Sequence, residues 1–183
     1  MNLSFELNTK RLEILKDAIP KLARVGLLLN SSSLQLKNLR LAAVALKLKL
    51  EEIETQGDPK GLESAFRTAK QKQVQAIMTT STREFFAERK RIVNLAAKYR
   101  LPAIYFQKEF VDEGGLMSYG ADYDDLYRKA AHYVDRILKG TKPADLPVQQ
   151  ATKFEFIISL KAAKQIGITL PYELLARANK VIQ

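Results

Sequence analysis

Between residues 25 and 106, short apolar runs take turns with segments of helical periodicity, and this alternation points to a parallel α/β sheet. The run RVGLLL at residues 24–29 stops at the polar stretch NSSS, as a strand buried on both faces would. LQLKNLRLAAVALK then has the length and three-to-four spacing of a helix, and LKLKLEEIET switches to strand alternation through Leu46, Leu48 and Leu50. A turn at residues 57–61 leads into a helix with Leu62, Ala65, Phe66 and Ala69 inward, and VQAIMTT follows as another buried strand. Thr80, Ser81 and Thr82 are cap candidates for a long helix reaching Ala97, with Phe85, Phe86, Ile92, Val93 and Ala96 as its core stripe; LPAIYF is the next strand. Parallel strands joined in this way need right-handed crossovers that lay helices on both faces. The expected architecture is an open, mostly parallel sheet with strand order 2-1-3-4.

The flanks are less regular. Ahead of the first strand, TKRLEILKDAIP places Leu12, Leu15 and Ile19 at helical spacing, with Thr9 as a cap and Pro20 as the stop. After residue 106 come a charged loop, QKEFVDEGG, a short strand, LMSYG, and a helix over 122–139 with Leu126, Ala130, Tyr133, Val134 and Ile137 inward. Residues 140–147 read as a linker. The end of the chain gives a strand, FEFIISL, a short helix, KAAKQIG, and a last helix opening at Pro171, where proline suits the first turn.

Several chemistries are excluded. The chain has no Cys and a single His, His132, so thiolate catalysis, Cys-ligated metal and multi-histidine sites have no ligands. G-x-G-x-x-G after the first strand, G-x-x-x-x-G-K-[ST] and G-x-S-x-G are all absent, which removes the usual dinucleotide, nucleotide and hydrolase signatures. Asp122, Asp124 and Asp125 open a helix, where aspartates satisfy free N–H groups, so they read as caps and not as a metal site. The net charge of +10 is spread along helical wet faces without an arginine-rich arm, which argues against a nucleic-acid partner. No run approaches the length of a membrane span, and residues 1–7 lack the pattern of a secretory signal. No catalytic residue, metal or cofactor is expected, and with no acid–base or nucleophilic constellation the chain does not read as an enzyme.

In open α/β sheets ligands collect beyond the carboxyl ends of the strands. There the chain carries three hydroxyl- or amide-bearing loops, at 30–33, 79–82 and 106–107. Asn30, Ser31, Ser32, Thr80, Ser81 and Gln107 are the candidate hydrogen-bonding contacts for a small polar solute.

Longer stretches carry a resemblance. KRLEILKDAIPKLARVGLLLN, RIVNLAAKYRLPAIY and, above all, GGLMSYGADYDDLYRKAAHYVDRILKGTKPADLPVQQATKFEFIISLKAAKQIGITLP resemble the ABC transporter substrate-binding proteins of the type-1 periplasmic-binding fold, in the subfamily of ABC-type uncharacterised or tryptophan/tyrosine-like transport components. The resemblance runs from about residue 8 to the end and is to the carboxy-terminal half of such proteins. It implies two flavodoxin-like lobes that close by a hinge on a small polar or amino-acid-like ligand and present it to a membrane permease, in the periplasm. It further implies that residues 8–113 form the core of lobe two, that 114–140 return to a lobe one this chain lacks, and that 141–183 pack back on lobe two. Tyr119 becomes a ligand contact from the returning segment. Read literally, the chain is truncated, has no export signal and would stay in the cytoplasm, with weak or absent affinity of its own. The segment 116–138 would lose its sheet neighbours and either fold back along its own sheet or be buried in a homodimer. The alternative is a free-standing flavodoxin-like regulatory or protein-interaction domain whose basic surface docks an acidic partner.

Overall fold

In the computed structural model, which describes residues 3–30 and 36–183, the first strand, β1 (Arg24–Leu29), lies between β2 (Lys49–Glu54) and β3 (Ala76–Thr79). The sheet continues outward through β4 (Ala103–Tyr105), β5 (Met117–Ala121), β6 (Phe154–Ser159) and β7 (Lys180–Ile182). The first four strands therefore stand in the order expected. Every neighbouring pair is parallel except β5 and β6, which run antiparallel with Tyr119 opposite Phe156.

The continuous apolar run of β1 follows from cover on both faces. Val25, Leu27 and Leu29 join one core cluster with Leu12 and Leu15 of α1 (Leu3–Ala18), Leu39 of α2 (Leu36–Ala45) and residues near the chain end. Leu28 points the other way, into a cluster with Leu62 and Phe66 of α3 (Pro59–Gln71), Phe85 of α4 (Arg83–Ala87) and Ile92 of α5 (Arg89–Lys98). Successive strand residues thus feed opposite layers. Helix starts are set by side-chain caps: Asp58 Oδ1 accepts from Gly61 N at 3.1 Å, and Thr82 Oγ1 accepts from Phe85 N at 3.3 Å.

Several expectations are corrected. The first helix begins at Leu3, so Thr9 lies within it and does not cap it. The long helix of residues 80–97 is broken at Glu88, whose φ of −91° and ψ of 15° separate α4 from α5. Within α4, Phe85 is buried in the core while its neighbour Phe86 is only partly covered. The charged loop hides a helical turn, α6 (Glu109–Asp112), anchored by buried Phe110 and Val111. Past α8 (Leu160–Ile166) and α9 (Tyr172–Leu175) the chain adds β7, which was not anticipated.

The segment 116–138 divides into two unlike halves. Its strand half is β5, paired with β4 on one side and β6 on the other, so the unpaired edge is absent there and this half does fold along its own sheet. Its helix half, α7 (Tyr123–Leu138), leaves the sheet at once, capped by Asp122 Oδ1 accepting from Asp125 N at 2.9 Å. The inward stripe expected on it forms only in part: Leu126 and Tyr133 are half-buried, Ala130, Val134 and Ile137 are exposed, Val134 by 55%, and Asp125 is the buried residue of the helix. β5 ends at Ala121 and α7 begins at Tyr123, so the helix departs from the end of the strand. His132 also lies on its exposed surface.

Candidate functional site

At the carboxyl ends of β3 and β4 a cleft of 620 Å³ opens between the sheet edge and the start of α7, within the size range of sites for small ligands. The sheet side supplies Ser81, Thr82, Phe86, Phe106 and Gln107; the α7 side supplies Tyr123, Leu126 and Tyr127, and α1 contributes Leu7 and Arg11. Elements far apart in sequence meet there because α1 runs back along the sheet and β5 carries the chain past the same edge.

The aromatic wall rests on rigid packing. Phe106 meets Phe110 edge-on at 5.1 Å between centroids, and Phe110 stacks on Tyr105 at 4.6 Å. Arg89 covers Phe86 at 5.0 Å. Full burial holds the Tyr105 phenol well above its ordinary pKa, so it stays protonated under the wall. Across the cleft Tyr123 and Tyr127 stand one helical turn apart, with ring centroids 6.3 Å apart. Gly120 shapes the junction: a Cβ there would run into the backbone carbonyl of Phe106, so only glycine lets β5 pass this close to the cleft loop.

Arg11 is the electrostatic centre of the site. It is only 2% exposed, yet it lines the cleft. Its Nε donates to the carbonyl of Tyr119 at 2.6 Å, and its Nη1 donates to Asn8 Oδ1 at 2.6 Å and Ser81 Oγ at 3.4 Å. All three acceptors are neutral, and no ion pair to Arg11 exists among the described residues. Burial lowers its pKa to about 10, which leaves it charged at neutral pH. Glu109 also borders the cleft, and its Oε2 is buried with no hydrogen-bond partner among the described residues. Among the described residues no group of His, Cys, Asp and Glu could hold a metal ion, and no helix is long and apolar enough to cross a membrane.

The residues singled out from sequence fall in different places. Ser81 and Gln107 line the cleft. Thr80 is buried one residue away, with its hydroxyl turned to the carbonyl of Leu28 at 3.5 Å. Asn30 sits half-buried at the end of β1, outside the cleft lining, while Ser31 and Ser32 lie outside the described residues. Tyr119 reaches the site through its carbonyl on Arg11, and its ring instead packs between Phe154 and Phe156. Arg11 was missed, although Asn8 and Arg11 share the i, i+3, i+4 stripe of Leu12 and Leu15, and polar residues on an inward helix stripe are a signal.

The sequence matches the family model described as ABC transporter substrate binding protein over residues 3–182. The chain belongs to this family. No curated protein sequence gives a significant match. Among solved structures, a conserved domain protein from Vibrio cholerae is 26% identical with a TM-score of 0.83, over 95% of this chain and 60% of that one. An ABC domain from Streptococcus pneumoniae in complex with L-Trp is 26% identical with a TM-score of 0.81, over 96% of this chain and 62% of that one. A ligand-free, open substrate-binding protein with adhesive properties from Clostridium difficile shares the fold, at 20% identity and a TM-score of 0.69, with 95% and 59% covered. The chain thus spans about 60% of the length of these structural relatives. The family is one of substrate-binding proteins, and the Clostridium difficile relative is described as such.

Proposed function

We propose that this chain carries the solute-contacting surface of an ABC importer's binding protein, and that its ligand is a small amino-acid-like molecule with an apolar, aromatic-sized side group. The observation that carries this reading is the cleft itself, where aromatic walls face each other from the sheet edge and from α7 while Ser81, Gln107 and Arg11 supply polar groups between them. One end of the ligand would meet rings and the other would meet donors, as recognition of such a solute requires. The L-Trp complex of the Streptococcus pneumoniae relative supports the same class of ligand. In this reading the protein works outside the cytoplasmic membrane, closes around the solute by bending at the strands that lead to α7, and hands it to a permease.

Ligand-observed NMR with millimolar tryptophan, tyrosine, leucine and glucose tests the proposal. Saturation transfer to the two aromatic amino acids, lost in Phe106→Ala, is the expected result. Equal transfer to all four compounds, or none to any, counts against it.

A further inference from the structure

A buried cation is ordinarily matched by an anion, because hydrogen bonds to neutral oxygens replace its water without offsetting its charge. Arg11 departs from that rule. Its three acceptors are a carbonyl, an amide oxygen and a hydroxyl, and they occupy Nε and Nη1. Nη2 makes no hydrogen bond among the described residues, which leaves it as the unused donor of a guanidinium that borders the cleft. A guanidinium held on two of its nitrogens is fixed in plane, and its remaining donors then point in a defined direction. The residue also lines the cleft.

We infer that Arg11 is the cleft's anion contact and that the solute carries a carboxylate which docks on Nη2. The inference rests on the proposed function and makes it narrower, since it separates acids from amides and neutral rings of the same size. The ring of the ligand then lies against Phe86 and Phe106, and its carboxylate reaches toward α1 and Ser81. Ser81 serves Arg11 as a positioning hydroxyl, its Oγ 3.4 Å from Nη1. A purely structural Arg11, a strut from α1 to β5, would be indifferent to the charge of whatever enters the cleft.

The test uses the whole chain, labelled with nitrogen-15, and four probes: L-tryptophan, indole-3-propionate, L-tryptophanamide and indole. The two carboxylates are expected to shift the Arg11 Nε–H resonance and to bind at least about tenfold more tightly than the amide. In Arg11→Gln the acids should lose that advantage, to within about twofold of the amide. Because Arg11→Gln also removes the tie to Tyr119 and can impair folding, the wild-type series is decisive without it. Amide and acid binding equally well would overturn the role of Arg11 and leave solute binding standing. Failure of all four probes to bind would overturn the functional reading and this inference together.

Discussion

Helices α3 and α7 carry the same kind of sequence and meet opposite fates. Both place apolar residues three and four apart along one side. In α3, Leu62, Ala65, Phe66 and Ala69 are buried against the sheet. In α7 the matching stripe is left largely in solvent, and the residue that is buried is an aspartate. Periodicity therefore reports that a helix has a face in need of cover, and it does not report which part of the chain, or which other chain, provides that cover.

The largest test of the contrast is Phe66→Ala, which removes a fully buried ring that also stacks on Tyr99 at 5.9 Å. Denaturant unfolding should show a loss of about 3–5 kcal/mol. Next comes the junction between the two regions. Gly120→Ala, which drives a methyl group toward the Phe106 carbonyl, should cost about 1–3 kcal/mol and weaken aromatic amino acid binding through displacement of the cleft loop. A normal melting temperature for that variant would mean β5 can shift freely.

Asp125 gives a pH-dependent comparison. Its carboxylate meets Lys129 at 2.8 Å and Lys153 at 3.1 Å, and these hydrogen-bonded partners hold its pKa below the usual carboxylate range. A lowered pKa in the folded state contributes stability above the unfolded value, near 3.8, and that contribution fades as pH falls through the folded value. Asp125→Asn should therefore melt earlier than wild type at neutral pH, with the difference vanishing in acid. A gap that stays constant across the acid range would show that charge is not the cause.

The smallest expected effect lies on the open face of α7. Val134→Ala should change stability by under about 0.5 kcal/mol, and α7 amides should exchange hydrogen well before those of α3. A cost above about 1 kcal/mol, together with a dimer in light scattering, would show that a second copy covers the face.

What the sequence disclosed follows the same logic of cover. β1 was legible to the residue because burial on both faces leaves an unbroken apolar run bounded by polar turns. The break at Glu88 was not, since Ala87, Glu88 and Arg89 are all good helix formers and no Gly or Pro marks the step. β7 escaped notice because Lys180 and Val181 are exposed and its three residues show no alternation. At the site, Ser81 and Gln107 were legible as polar residues just past strand ends, whereas Thr80, of the same type, spends its hydroxyl on Leu28. Arg11 was hidden because a cation in a basic chain reads as surface, and only its place on an inward stripe sets it apart.

The antiparallel pairing of β5 with β6 has a mechanical consequence. The chain departs toward α7 and comes back along adjacent strands, and the backbone bond from Asp122 N to Lys153 O, at 3.0 Å, extends their pairing beyond the sheet. The part of the molecule bearing Tyr123 and Tyr127 is thus held by a two-ply strap and not by a single thread. Such a strap resists shear and stretching within its plane while yielding to bending and twist. In the closure proposed above, such a strap would let Tyr123 and Tyr127 swing toward Phe86 and Phe106 while holding them against sliding along the strands.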